Sequence, residues 1–212
     1  MKDNLTEIMV ILDRSGSMEN IRTDAMGGFN SFIEDQKKEA GDALVTLVQF
    51  DHEYEVVYSG KPVQDVKPLT AETYVPRGQT ALLDAIGRTI NEVGARLSTM
   101  TEDDRPGKVI AVVITDGHEN ASHEFRQDKI KEMIEHQRGK YDWEFVFLAA
   151  DPTSVQLAQA VSVPMGNVAL FENTGKGMRS AYAGVSHAVS GYRGGTKSRT
   201  GLVDKDDSGT VK

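Results

Sequence analysis

Three polar segments of this sequence carry oxygen-bearing side chains beside apolar runs. Asp13-Arg14-Ser15-Gly16-Ser17 ends the first apolar run, and Thr115-Asp116-Gly117 ends another far along the chain. Thr80 lies between them, just after Gly78-Gln79. Carboxylate and hydroxyl oxygens are hard ligands that favour Mg²⁺ or Mn²⁺ over zinc or copper. The sequence therefore predicts a metal site whose ligands are Asp13, Ser15, Ser17, Thr80 and Asp116.

The composition of this donor set leaves a place for an outside ligand. Asp13, Ser15 and Ser17 alternate along one short loop, so their side chains can turn toward one point. Two carboxylates and three neutral hydroxyls leave a divalent ion under-neutralised, and an acidic side chain of a partner would complete its shell. Each segment alone has another interpretation: Asp13 and the serines cap the following helix, and Asp116-Gly117 is an ordinary turn.

Taken together, the three segments resemble the von Willebrand factor A (vWA) domain with an intact metal-ion-dependent adhesion site (MIDAS). That family carries D-x-S-x-S in its first loop, a threonine in a later loop and T-D-G after a central strand, and every position is matched here. The resemblance covers about residues 5–190 in element order. It implies direct metal contact from Ser15, Ser17 and often Thr80, with Asp13 and Asp116 bound directly or through water.

The resemblance also implies a function. We expect a stand-alone module of bacterial or phage type that binds a partner protein through Mg²⁺, with Mn²⁺ as a substitute, in a regulatory or assembly role. The partner would present Asp or Glu. Arg14, Arg77, His118 and Glu119 are the expected partner-binding rim around the ion.

A metal-dependent hydrolase or phosphoryl-transfer enzyme is the alternative, because a lightly neutralised Mg²⁺ is a Lewis acid. Its general base would have to be His118 or Glu119, and neither lies in a recognisable motif, so we expect no enzyme. A phosphoaspartate hydrolase needs a second aspartate where Ser15 stands. The first strand is followed by neither G-x-G-x-x-G nor G-K-[ST], and the serines do not form G-x-S-x-G.

Composition narrows the remaining classes. The chain has 212 residues, a net charge of −8 and no cysteine. The negative charge disfavours nucleic acid as a partner, and the lack of cysteine excludes disulfides and thiolate metal sites. No stretch approaches the ~20 apolar residues that a membrane span needs, and no signal-peptide pattern opens the chain. We expect a cytoplasmic protein without a membrane partner.

Alternating strands and helices predict one α/β domain over residues 1–190. Its fold would be a doubly wound, mostly parallel six-stranded sheet with one antiparallel edge strand and helices on both faces. The predicted strands cover residues 5–12, 43–50, 54–59, 108–114, 143–149 and 168–171. The predicted helices cover residues 20–38, 83–97, 124–138, 151–160 and 178–190.

Ligands of such sheets bind at the carboxyl ends of strands where the strand order reverses. The first strand and the 108–114 strand should flank that point, which is where both metal-binding loops leave the sheet. Asp151 is a predicted helix cap, Thr80 a second, and Asp84 should face solvent or its own helix N-terminus. Residues 191–212 are poor in large apolar side chains and predict a flexible tail.

Overall fold

A computed structural model describes residues 1–196, 201–206 and 208–211 of the chain. These residues contain one six-stranded sheet in the order β3-β2-β1-β4-β5-β6. All neighbouring pairs are parallel except β2 and β3, which form the antiparallel edge. The strands are β1 (Lys2–Asp13), β2 (Asp42–Phe50), β3 (Tyr54–Pro62), β4 (Pro106–Thr115), β5 (Glu144–Ala149) and β6 (Val168–Leu170). The predicted fold class is confirmed.

Five α-helices cover the two faces of the sheet in the described residues. They are α1 (Arg22–Lys38), α2 (Leu82–Thr99), α3 (Gln127–Tyr141), α4 (Pro152–Ala160) and α5 (Gly175–Arg193). A 3-10 turn over Gly16–Ile21 leads into α1. The apolar sides of α1 and α5 pack on one face, and those of α2, α3 and α4 pack on the other. None of these helices is long and apolar enough to cross a membrane.

Strand β1 shows why its apolar run is continuous. Ile8, Val10 and Leu12 belong to the core under α1 and α5, whereas Met9 and Ile11 belong to the core under α2. Because both faces of a central parallel strand are covered, both sets of alternating side chains must be apolar. The run ends at Asp13, where the strand reaches the edge that carries the polar loops.

The strand order reverses between β1 and β4, as the sequence predicts. Leu12 of β1 lies beside Ile114 of β4, so the two strands end at the same level. The segments that follow, beginning at Asp13 and Thr115, therefore leave the sheet side by side. This arrangement brings together two of the three polar segments without any contribution from their own side chains.

The C-terminal region differs from the predicted tail. Helix α5 continues to Arg193, and Lys108 Nζ donates to the carbonyl oxygens of Tyr192 and Arg193 at its end, at 3.3 and 2.5 Å. Beyond the helix, Leu202, Val203 and Val211 are buried among core residues. These few apolar side chains are enough to hold the region against the domain, because the domain has a site at the edge of the sheet in which they are buried. Residues 197–200, 207 and 212 of the predicted tail lie outside the described residues.

Candidate metal centre

Asp13 is fully buried at the end of β1, and both of its carboxylate oxygens accept hydrogen bonds. The Ser15 backbone N–H donates to Oδ1 at 2.6 Å, and the Thr115 hydroxyl donates to Oδ2 at 2.6 Å. The first bond shapes the loop that carries the serines. The second joins the end of β1 to the end of β4. Asp13 thereby fixes the two predicted ligand loops relative to each other.

The hydroxyl donors form a chain that ends on the second carboxylate. Ser15 Oγ lies 3.0 Å from Ser17 Oγ, and Ser17 Oγ donates to Asp116 Oδ1 at 2.6 Å. The other oxygen of Asp116 accepts a hydrogen bond from Asn173 Nδ2 at 3.2 Å. Asn173 lies in the loop before α5, where no sequence motif marks it as part of the site.

Thr80 completes the cluster around the backbone of Gly117. A Cβ atom built on Gly117 would lie 2.8 Å from Thr80 Oγ1 and 3.3 Å from both Ser15 Oγ and Ser17 Oγ. The three hydroxyl oxygens therefore converge on one point beside this glycine, from two separate loops. Any larger residue at 117 would occupy the space that the hydroxyls face. The structure thus places all five predicted metal ligands in one cluster.

The electrostatics of this cluster fit a divalent cation. Burial raises the pKa of Asp13 to about 7, although hydrogen bonds from Thr115 and Ser15 act in the opposite direction. Burial also raises the pKa of Asp116, against hydrogen bonds from Ser17 and Asn173. A bound cation would relieve both desolvated carboxylates. In the described residues no group of three or more His, Asp or Glu side chains is placed to hold a metal, so the fit rests on this mixed set of carboxylates and hydroxyls.

The loop before α2 is held so that Thr80 reaches the cluster. The Thr80 N–H donates to Asn120 Oδ1 at 2.9 Å, and the Asn120 N–H returns a bond to the Thr80 carbonyl at 3.0 Å. Thr80 does not cap α2, contrary to the prediction. The first helical N–H groups donate instead to Glu119 and Ser122, from Leu83 at 2.9 Å and Asp84 at 3.1 Å.

Buried Asp51, which belongs to none of the predicted ligand segments, joins the same loop to the rest of the site. It accepts from Arg14 Nε at 3.0 Å, Arg77 Nε at 2.9 Å and the Glu53 N–H at 2.6 Å. Its carbonyl accepts from the Ala81 N–H at 2.8 Å. Burial acts to raise the pKa of Asp51, but the hydrogen bonds from Glu53 and Arg77 and the positive charge of Arg14 outweigh it and hold the pKa low.

Arg14 and Arg77, two of the predicted rim residues, form ion pairs within the protein. The Arg14 side chain is buried, and its guanidinium pairs with Asp51 and Glu55. Arg77 is 49% exposed, but its guanidinium pairs with Asp51 and Glu53. Both guanidinium groups thus hold the surrounding loops in place through ion pairs. The signal that could have identified Asp51 is its position directly after β2, at the same sheet edge as Asp13.

His118 and Glu119, the other two predicted rim residues, differ from each other in their surroundings. Glu119 accepts from the N–H groups of Leu83, Ala121 and Ser122 and from the Ser122 hydroxyl, at 2.7–3.1 Å. Its carboxylate is therefore engaged in hydrogen bonds within the protein. His118 is 61% exposed, with Nδ1 3.2 Å from Asp151 Oδ1, and it remains at the rim.

Two further carboxylates organise neighbouring loops. Asp151 caps α4 by accepting from the N–H groups of Thr153 and Ser154 at 2.8 and 3.0 Å, as predicted. Asp84 was expected to face solvent or the helix N-terminus, and that prediction is wrong. It is buried and accepts three backbone N–H bonds, at 2.8–3.0 Å, from residues 123–125. The loop after Gly117 needs these acceptors because its own backbone is not paired in a helix or strand.

Comparison with known proteins supplies similarity in fold. No protein-family model matches the sequence, and no curated protein matches it. Proximal thread matrix protein 1 (PTMP1) from the mussel byssus has a TM-score of 0.61 and 15% identity, over 86% of this chain and 47% of that one. The von Willebrand factor type A structure from Catenulispora acidiphila has a TM-score of 0.56 and 15% identity, over 88% and 42%.

Another PTMP1 structure is described as having a zinc-occupied MIDAS motif; its TM-score is 0.60 and its identity 13%, over 86% of this chain and 47% of that one. The present chain thus spans less than half the length of each of these structures. At this level of identity the comparison concerns the course of the backbone. The chain has the α/β fold of vWA domains, with four candidate ligands in the segments that follow β1 and β4, where the order of the sheet reverses, and with Thr80 reaching them from the loop before α2.

Proposed function

We propose that this protein is a metal-dependent protein-binding module, in which a MIDAS-type Mg²⁺ site coordinates an acidic side chain of a partner. The observation that carries the proposal is the convergence of three hydroxyl oxygens, from Ser15, Ser17 and Thr80, beside Gly117. Asp116 is hydrogen-bonded to this group through Ser17. Such a set binds a hard cation while neutralising only part of its charge.

Each residue of the site has a separate task in this proposal. Ser15, Ser17 and Thr80 supply neutral oxygens, and Asp116 supplies negative charge. Asp13 shapes the serine loop through the Ser15 N–H and joins it to Thr115. When bound, the cation supplies a Lewis acid that attracts a carboxylate. Oxygen ligands favour Mg²⁺, with Mn²⁺ as a substitute; the zinc of the PTMP1 structure concerns that protein.

The surroundings of the site favour binding over hydrolysis. Glu119 is engaged by four hydrogen bonds from the loop and α2, so it is not free to activate a water. His118 pairs with Asp151 at the exposed rim. A hydrolytic site needs a base that reaches the reacting water. We therefore assign the protein no enzymatic activity.

The cellular setting belongs to the same proposal. A net charge of −8 opposes binding to nucleic acid. We assign the protein to the cytoplasm, as a module of bacterial or phage type with a regulatory or assembly role.

The first experiment measures the metal directly. Mg²⁺ and Mn²⁺ are titrated calorimetrically into chelator-stripped protein, comparing wild type with Thr80→Val, which removes one hydroxyl and keeps the side-chain volume. We expect saturable binding that Thr80→Val weakens at least tenfold. Thr99→Val, the same change at the exposed end of α2, is the control and should bind as wild type. Equal binding by Thr80→Val and wild type would contradict the site.

The second experiment tests the partner chemistry. A random peptide library is selected on the Mg²⁺-loaded protein, and bound peptides are released with EDTA. We expect recovered peptides to share an Asp or Glu whose replacement by Asn or Gln abolishes binding. Peptides that lack a common acidic residue, or that stay bound in EDTA, would overturn the proposal.

A further inference from the structure

The described C-terminal residues, 201–206 and 208–211, are called the C-terminal segment here, and they lie along the free side of β6. The Leu170 N–H donates to the Gly209 carbonyl at 3.1 Å, and the Val211 N–H donates to the Leu170 carbonyl at 3.0 Å. Leu170 and Thr210 form a parallel β-bridge. The segment therefore extends the sheet beyond its short edge strand through main-chain bonds, which do not depend on side-chain identity.

Apolar side chains fix the segment in a groove between β6 and α5. Leu202, Val203 and Val211 are buried at 0%, 4% and 6% exposure. Val211 fits a notch in α5 at Gly184, where an added Cβ atom would lie 2.3 Å from Val211 Cγ1. Because the notch exists only while residue 184 lacks a side chain, the groove has a shape that selects its occupant.

Hydrogen bonds between the groove and the segment run in both directions: a side chain of the groove binds the backbone of the segment, and a side chain of the segment binds the backbone of the groove. Asn167, which is fully buried, accepts from the N–H groups of Gly201 and Leu202 through Oδ1, both at 3.0 Å. In the other direction, Lys205 Nζ donates to the carbonyl oxygens of Met165 and Val168 at 2.7 and 2.9 Å. Main-chain pairing, apolar pockets and a buried amide acceptor together have the anatomy of a peptide-binding site.

Glycines mark both ends of the connection between α5 and the segment. Gly195 and Gly201 have φ angles of +68° and +94°, and no atom lies within 4 Å of the position of a Cβ on either. Chain reversals at glycine are governed by local backbone torsions and need no tertiary contact. Among the described residues, the main-chain bonds, apolar anchors and Asn167 of the groove hold the segment in place.

We propose that the groove between β6 and α5 is a peptide-binding site that the C-terminal segment fills in its own chain and that the same segment of a second copy fills when two copies exchange it. Exchange of an identical element replaces every contact by its equivalent, so its cost is small. The short connection gives the chain's own segment an effective concentration in the millimolar range, so the monomer dominates in dilute solution. The seven residues 194–200 can span at most about 25 Å, which requires the two grooves to be neighbours.

Two full-length variants separate groove from segment. Gly184→Val fills the notch and leaves the segment intact. Leu202→Asp with Val203→Asp places charge on the two buried anchors and leaves the groove intact. The probe is a fluorescein-labelled peptide of residues 201–212, measured by anisotropy. We expect the segment variant to bind it at least tenfold more tightly than either wild type, whose groove is filled, or Gly184→Val. A peptide carrying the same two aspartates is the control and should not bind.

Native mass spectrometry then tests exchange between copies. An equimolar mixture of the two variants should give a one-to-one complex that neither variant gives alone, because only the mixture contains an intact segment and an intact groove. If both variants are folded by circular dichroism and neither peptide binding nor mixed complex is seen, the proposal is overturned. Should the double variant unfold, Val211→Ser replaces it with the same expected results. Neither readout involves the metal site, so the two proposals fail independently.

Discussion

Asn173 donates a hydrogen bond to Asp116 across 57 positions of sequence, from Nδ2 to Oδ2 at 3.2 Å. The other carboxylate oxygen of Asp116 accepts from Ser17. Because each carboxylate oxygen of Asp116 accepts a hydrogen bond, one from Asn173 and one from Ser17, the carboxylate has a fixed orientation toward the candidate ion. The loop before α5 thus takes part in positioning a metal ligand.

We therefore predict that Asn173→Ala lowers the affinity for Mg²⁺ by about tenfold, the effect typical of removing an outer-shell partner. Asn91→Ala, an exposed change on α2, serves as the control and should leave the affinity unchanged. Calorimetric titration of both variants measures the difference. An unaltered affinity in Asn173→Ala would show that Asp116 keeps its orientation without this bond.

Gly117→Ala should abolish metal binding. The added methyl group would lie 2.8 Å from Thr80 Oγ1 and displace the hydroxyls that converge there. The comparison is Gly139→Ala in α3, where no atom lies within 4 Å of the new Cβ. That change should raise stability by about 0.5–1 kcal/mol and leave the metal site intact. Mg²⁺ titration and urea unfolding of both variants decide the matter; retained binding in Gly117→Ala would remove the basis of the site.

The raised pKa of Asp13 predicts how the metal-free protein responds to pH. Burial raises this pKa from 3.8 in the unfolded chain to about 7 in the folded one. Between these values the folded state holds a proton that the unfolded state has released, so stability falls as pH rises from about 4 to 7. In EDTA, urea unfolding should show this fall in wild type, and Asp13→Asn should show a smaller one. Identical pH profiles would refute the assignment.

Metal binding should have the opposite pH dependence. A cation competes with the proton on Asp13, so the affinity for Mg²⁺ should increase up to about pH 7 and then level off, with proton release on binding. Titrations in buffers of different ionisation enthalpy measure the protons released. Affinity that stays constant from pH 5.5 to 8 would contradict the prediction.

Removing Asp51 should affect both stability and the site. Asp51→Ala leaves the Nε of the buried Arg14 without its acceptor, while Glu55 still pairs with the other side of the guanidinium, so we expect a loss of about 1–3 kcal/mol. It also removes the Arg77 bond to the loop that carries Thr80, so Mg²⁺ affinity should fall. Glu53→Gln alters an exposed member of the same cluster and should change stability by less than about 0.5 kcal/mol. Urea unfolding compares them, and equal effects of the two changes would show that Asp51 has no special role.

The elements of the fold were predictable because their signals are local. The apolar run of β1 and the spacing of Leu83, Ile86 and Ile90 in α2 follow from strand and helix periodicity alone. The metal ligands were recognised as a motif. Asp84 shows the limit of this reasoning: in the first turn of an apolar helix it looks solvent-facing, yet the loop at 123–125 supplies three N–H donors for it.

The other missed contacts have the same origin. Asp51, Asn173 and Arg14 contact partners that are distant in sequence. The sequence around a polar residue does not indicate which distant loop it will contact. The buried C-terminal segment was missed because Leu202, Val203 and Val211 are too few to form a periodic pattern. Their burial depends on the groove at Gly184, which only the folded chain contains.

The candidate ligands come from three segments spread from Asp13 to Asp116, and this distribution has a kinetic consequence. An unfolded chain has no local metal site, because the donors meet only after β1 and β4 have paired. The ion therefore joins a structure that is already formed. We expect Mg²⁺ to slow unfolding in stopped-flow experiments while leaving the refolding rate nearly unchanged. The cation would then stabilise the domain only after its rate-limiting folding step.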